Sequence, residues 1–443
     1  MILQLDSERE KNMNKIATAF VVSSSLVLAA SAASIESVLV RQQWPWSPKV
    51  NVDYVLKDSS GGVHDVKVTF RNGTQVITNL AESVSGERYG VGDGEHTLTW
   101  DPTYDGTDLG KKVLTDVTAT VSIQDDAKQY MVIDMDGGSD AATFPVEFLA
   151  APPAGGWNQD VYKRTKLVMR RIPAMTFRTG MTAAEKEHFP LSEYPTWAPH
   201  DLRTVTLTHD YYIGVFETTV LQCKKVNGGS PNQFDKKPNR NITYGYVRGD
   251  TANSASSWPN YETDSFLDKL NKKVAATLTA ALPGYKIELP TWAQWECACR
   301  GGFDTCFNSG KSWAADGTEN TDANLDSLGW YSGNQPTELW QDVGQKEPNA
   351  FGLYDMHGNV MELVRDTMWG GSASGWADYQ VDPLLRGSDG IYKVWACGGG
   401  MMSPAKDCLC NSIKHIGTPT DAYNPDDPRY FTGFRLACVY DGE

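Results

Sequence analysis

Between residues 38 and 123 apolar and polar side chains alternate in short runs. V-N-V-D-Y-V at 50–55, V-K-V-T-F at 66–70, H-T-L-T-W at 96–100 and V-T-A-T-V at 117–121 each place apolar residues on one face. That period of two predicts half-buried strands. Gly61-Gly62, Asn72-Gly73 and Gly92-Asp93-Gly94 punctuate them as turns. Short strands at this spacing predict a small all-β, sandwich-like domain over 34–125. It holds no cysteine, and His64 and His96 read as surface residues of strands, so a spacer or docking role is expected. Further strand-like runs occupy 131–148, and A-A-P-P-A-G-G at 150–156 reads as a connector, so 126–160 is expected to link two domains.

The pattern then changes. Over 264–282 Phe266, Leu267, Leu270, Val274 and Leu278 recur at helical spacing, which predicts an amphipathic helix used for core packing. Thr291 precedes W-A-Q-W-E and reads as the N-cap of a second, short helix. Elsewhere the second half is turn-rich. The chain's fourteen tryptophans and nineteen tyrosines suit a fold whose aromatic rings fill a core and line a groove; Trp330, Tyr331, Trp340, Trp369 and Trp376 are the groove candidates.

Net charge is −15, which excludes a nucleic-acid backbone as partner, since that needs a basic surface. Residues 1–33 read as a secretory signal, with Met13 as an alternative start: Lys15, an apolar stretch over 16–28, then Ala30-Ser31-Ala32. The stretch is short and broken by three serines, and no other window is long and apolar enough to span a bilayer. The expectation is an exported protein (periplasmic, cell-surface or extracellular) with no membrane span after cleavage. In that compartment the eight cysteines, all between Cys223 and Cys438, favour disulfides over zinc. Their connectivity stays open, and no C-x-x-C spacing appears.

The richest run is N-A-F-G-L-Y-D-M-H-G-N-V-M-E over 349–362. Asp355 and Glu362 bracket a turn at Gly358, and carboxylates with freed carbonyls are hard oxygen donors suited to calcium. The run resembles the signature of the formylglycine-generating enzyme (sulfatase-modifying factor) family. R-I-P-A-M-T-F at 171–177, Y-Y-I-G-V-F-E-T-T at 211–219, L-P-T-W-A-Q-W-E at 289–296 followed by R-G-G, and G-F-R-L at 433–436 are similar to the family's other motifs in the same order. The resemblance covers 161–443. It implies an α+β, turn-rich fold related to C-type lectins.

The resemblance also implies sites. One calcium would be held by Asp355 and Glu362 with the carbonyls of Gly358 and Val360; a second would begin at Asn324 and the Leu325 carbonyl, with Asp342 as a later candidate. Active members bind one copper ion with two thiols and oxidise a client sulfatase's cysteine to formylglycine. Those thiols fall at Ser403 and Cys408, so one is a hydroxyl, which cannot replace a thiolate on Cu(I). Gly400 stands for the turn serine and Met361 for a tryptophan. Cys299 stands where the family has a disulfide cysteine, with Cys410 the nearest partner candidate. The histidines lack the H-x-x-x-H-x-E arrangement of the family's iron branch, and no G-x-S-x-G hydrolase elbow appears. The expectation is a calcium-stabilised pseudoenzyme that binds a peptide, glycan or client protein. The alternative is an active copper-dependent oxidoreductase in which Cys397 or Cys410 joins Cys408.

Overall fold

The computed structural model describes residues 33–77, 83–104, 116–181, 202–249, 260–336, 340–368, 379–385, 393–417 and 431–441. The expected signal, apart from Ala33, lies outside these residues, as do Trp369 and Trp376. The chain divides into two compact units, one ending at Asp125 and the other beginning at Asp126.

In the first unit the alternating runs become strands in two antiparallel sheets. One has the order β1 (Ala33–Gln42), β2 (Val50–Asp58), β6 (Gly94–Trp100), β5 (Val84–Gly86); the other runs β4 (Gln75–Ile77), β3 (Val66–Asn72), β7 (Val117–Ile123). Val50, Val52, Tyr54 and Leu56, every second residue of β2, are buried with Leu98, Trp100, Phe70 and Val121 in one core. His64 is more than a surface strand residue: its ring bridges Asp58 at 3.1 Å and Asp125 at 2.7 Å.

The second unit has many strands and few helices. Its main sheet runs β14 (Tyr285–Glu288), β22 (Ala437–Tyr440), β13 (Tyr211–Gly214), β10 (Lys166–Ile172), β8 (Tyr130–Asp134), β9 (Val146–Leu149). The segment 126–160, expected as a connector, thus supplies two strands of this sheet. Its apolar run M-V-I is buried on both faces, which alternation alone does not separate from a linker's edge strand. Helix α1 (Asp160–Arg164) follows, then α2 (Val220–Asn227), α3 (Tyr244–Arg248), α4 (Phe266–Ala281) and α5 (Trp292–Arg300). The five apolar positions expected on α4 are its buried residues, packed with Met131, Leu167 and Ile287 in one cluster. Thr291 caps α5 as expected, with Gln294 closing a capping box; such a cap contributes about 1 kcal/mol.

Smaller sheets carry the turn-rich half. β11 (Met175–Thr179), β12 (Arg203–Leu207) and β18 (Tyr379–Val381) form one, and β15 (Gly329–Trp330) pairs β16 (His357–Gly358). The last runs β20 (Ile413–Gly417), β19 (Lys393–Cys397), β17 (Met361–Met368), β21 (Thr432–Phe434). Among the described residues no helix is long and apolar enough to cross a membrane.

Candidate functional site

The run at 349–362 is fastened by side chains before it can position anything. Asn349 accepts from the amides of Phe351 and Leu353 at 3.0 Å each and donates to the carbonyls of Ala298 and Cys299 at 2.7 and 3.0 Å. It thereby ties the turn to the end of α5. Gly358 has φ +81°, and a Cβ there would stand 2.0 Å from the Trp330 carbonyl oxygen, so only glycine permits the β15–β16 crossing. Asn359 also adopts a left-handed conformation, φ 57°. Its amide donates to Trp330, its carbonyl accepts from Met401 and its Oδ1 from Gln341. The Gly-Asn pair is the hub of the site.

Three carboxylates converge here in the core. Glu362 gives both oxygens to Arg435, at 2.7 to 3.1 Å, and Oε2 also accepts from Trp295 Nε1 at 2.6 Å. Arg435 spends its remaining donors on the carbonyls of Gly214 and Tyr354. Glu217 accepts from Asn359 Nδ2 at 2.7 Å and the Val360 amide at 3.0 Å. Asp355 accepts from the Gly344 amide at 2.6 Å, while its Oδ1 is buried with no partner. Burial, then the fields of Asp355 and Glu362, hold the Glu217 carboxyl well above its usual range. Burial likewise pushes Asp355 up to about 6. The surplus of acid and the orphaned Asp355 oxygen fit a cation. Glu362 as placed does not, because its charge is already matched by Arg435.

At the second expected calcium site the groups have protein partners. The Leu325 carbonyl accepts from Leu328 and Gly329, Asn324 Nδ2 donates to Ser312, and Asp342 pairs with Lys236 and Lys237. The Leu325 carbonyl and Asp342 are thus engaged by protein groups, while the Asn324 amide is held through its nitrogen.

The two-thiol position is occupied differently from a copper centre. Ser403 is buried, and its Oγ accepts from the Gly400 amide at 2.9 Å. Cys408 sits in an apolar cluster with Met181, Phe307 and Leu328, and burial pushes its thiol well above the ordinary value. A Cβ on Gly399 would reach within 2.5 Å of Cys408 Sγ, whereas one on Gly400 would meet only ordinary contacts. The first glycine is required by the packing and the second is not. A hydroxyl fixed by a backbone amide in the place of one thiolate does not fit Cu(I).

The thiols brought together are Cys299 and Cys410, with Sγ atoms 3.5 Å apart; both are free thiols. Burial raises Cys299 well above its ordinary value. Cys410 is as deeply buried, yet the hydrogen bond from Cys299, then the neighbouring His357 and Arg300, hold it well below. His357 was not singled out by sequence; its place in the D-M-H-G turn was its only trace.

A patch of rings and cations lies beside the Gly-Asn hub. Val360, Met401 and Phe431 form a small cluster against which Trp330, Trp340 and Met402 are partly buried. The Arg240 guanidinium is 4.7 Å from the ring centres of both Trp340 and Phe431. Lys346 Nζ stands 3.8 Å over Trp330, and Phe234 tilts against Trp340 at 5.2 Å. Arg240 pairs with no carboxylate among the described residues. Tyr331, a groove candidate, is instead core: it is 1% exposed and its hydroxyl donates to Asp326 at 2.7 Å. Arg240 and Phe234, which complete the patch, carried no motif.

Residues 162–439 match the profile of the sulfatase-modifying factor enzyme 1-like domain. The chain is similar to the chaperone protein LppX of Paenibacillus barcinonensis, 30% identical over 189 residues. That match spans 36% of this chain and 63% of the relative's length. Among solved structures it is similar to Treponema denticola variable protein 1, 24% identical over 62% of this chain and 95% of that one, with a TM-score of 0.42. It is also similar to PvdO from Pseudomonas aeruginosa, 20% identical over 61% and 94% of the two chains, with a TM-score of 0.44.

Proposed function

Since the chain belongs to the sulfatase-modifying factor enzyme 1-like domain family, we propose that it is an exported binding module built on that domain rather than a copper oxidase. The observation that carries this reading is the Arg240 patch. A guanidinium held between Trp340 and Phe431, with no carboxylate partner among the described residues, can take a bidentate carboxylate from a ligand. The flanking Trp330, Trp340 and Met402 offer flat, apolar surface for the rest of that ligand. The ligand is a peptide or glycan chain bearing an acidic group, and the first unit serves as spacer or dock. The copper reading needs a second thiol on Cys408, and the residue at that place is Ser403, already bonded to Gly400.

Calcium belongs to the proposal at one point. Asp355 would hold it with the carbonyls of Gly358 and Val360, and the ion would neutralise acid that Arg435 leaves unmatched; Glu362 stays with Arg435. Screening the full chain against arrays of acidic and neutral peptides and glycans tests the module. Binders carrying a carboxylate are expected, with affinity falling about 10- to 100-fold in Arg240→Gln. Binding that ignores both ligand carboxylate and Arg240 would sink the reading.

A further inference from the structure

Cys299, His357 and Cys410 are all fully buried, and their two sulfurs and one ring nitrogen lie within 4.8 Å of one another. The acidic turn and the ring-and-cation patch use none of them. We propose that these three side chains form a soft-metal site that holds one Cu(I) ion through two thiolates and an imidazole.

The sulfur spacing is the first support. Two thiolates bound to a metal at about 2.3 Å stand about 4.0 Å apart at the ~120° of a three-ligand site, about 0.5 Å more than the 3.5 Å seen here, a gap that small side-chain rotations close. A disulfide would need about 2.05 Å. The imidazole is the second. His357 Nδ1 lies 2.7 Å from the Cys408 carbonyl oxygen, which can only accept, so the proton sits on Nδ1 and the lone pair on Nε2. A carbonyl behind the ring is the usual backing of a metal-bound histidine. Nε2 accepts from the Asn308 amide at 3.3 Å, a long contact that a metal bond outweighs.

The ligands are also held still. Cys299 stands in α5, whose end Asn349 binds to the turn; His357 lies in β16; the Cys410 amide donates to the Cys306 carbonyl at 2.9 Å. Donor type and number choose the ion. Two sulfurs and a nitrogen exclude calcium and magnesium, which take oxygen. Zinc in closed protein sites takes four ligands, and among the described residues no fourth cysteine, histidine or carboxylate joins this cluster. Soft thiolates select Cu(I).

The site is closed, so the full chain should be produced in copper- or zinc-supplemented medium, desalted and measured by inductively coupled plasma mass spectrometry. About one copper per chain is expected, falling at least tenfold in Cys299→Ser and Cys410→Ser and unchanged in Cys408→Ser. Circular dichroism checks that each variant folds. If the cluster variants do not fold, copper-edge X-ray absorption of the unaltered chain decides instead: two sulfur neighbours and one nitrogen, at the Cu(I) edge position, support the site. Copper retained by both cluster variants, zinc at full occupancy in place of copper, or another ligand set overturns it. So does a metal-free chain, whether its two thiols are free or joined in a Cys299–Cys410 disulfide by non-reducing peptide mapping.

Discussion

Two arginines of the second unit lie near the same turn and are used in opposite ways. Arg435 is fully buried, and each of its nitrogens meets an acceptor: Glu362, Gly214 or Tyr354. Arg240 is partly buried between two aromatic rings and has no carboxylate among the described residues. Burying a charge is costly unless it is paired, so the first arrangement is a structural clasp. The second leaves a guanidinium partly in contact with water, which the proposed function uses as an anion receptor. The contrast separates a buried charge that holds the acidic turn in place from a partly exposed one beside it.

The largest effect should come from cutting the clasp. Arg435→Ala leaves Glu362 buried beside Glu217 and Asp355 with no matching charge in contact. Breaking a buried pair from one side costs about 3–5 kcal/mol, a large share of a domain's stability. Urea unfolding should show the transition of the second unit moved to much lower denaturant, while that of the first unit stays put. A midpoint shift worth less than about 1 kcal/mol would mean that the acids are neutralised by other means, and the comparison would lose one side.

Asp355 gives a smaller effect whose sign is set by its environment. Its folded value, about 6, lies above the ordinary 3.8, so folding favours the protonated acid. The contribution is whole below pH about 4, declines as pH rises toward 6, and is lost above it; there the ionised group costs on the order of 1–3 kcal/mol. Without calcium, Asp355→Asn should therefore raise the melting temperature at pH 7.5 and flatten the fall in stability between pH 4 and 6. Added calcium should raise the melting temperature of the unaltered chain and leave the asparagine variant nearly unmoved. Identical pH profiles for the two proteins would remove Asp355 from both roles.

Much of this architecture was legible in the chain because it rests on periodicity and capping. The β2, β3, β6 and β7 strands follow from alternation, and α4 from five apolar residues on one face, since those patterns report burial directly. The turn at 349–362 was legible for a different reason: its glycine and asparagine are demanded by backbone geometry, so the motif shows in the letters. What was not legible depends on contacts across the fold. Nothing local in R-I-P or F-E-T-T says that Glu217 will share a pocket with Asp355, and Tyr331 looks like a groove residue until its hydroxyl finds Asp326. The strand-like runs of 131–148 were legible, but β8, buried on both faces, shows no alternation that would assign it to the second unit's sheet rather than to a connector. His357 stands between the acidic turn and the Cys299–Cys410 pair, which are far apart in sequence.

The smallest change in stability should accompany the largest change in binding, at Arg240. Its two ring contacts are worth about 0.5–1 kcal/mol each at a partly exposed position, and the rings remain packed on Val360 and Met401 when it is removed. Arg240→Gln should therefore unfold within about 1–2 kcal/mol of the unaltered chain, yet lose about 10- to 100-fold in affinity for a carboxylate-bearing ligand. Arg240→Lys sharpens the point. It keeps the charge but not the planar fork that lies flat between rings and meets both carboxylate oxygens, so it should recover only part of the lost affinity. Trp340→Ala removes the surface for the rest of the ligand and should weaken acidic and neutral ligands alike. If Lys restored binding fully, the patch would act as a bare positive charge, and the stacked geometry of Arg240 would carry no recognition.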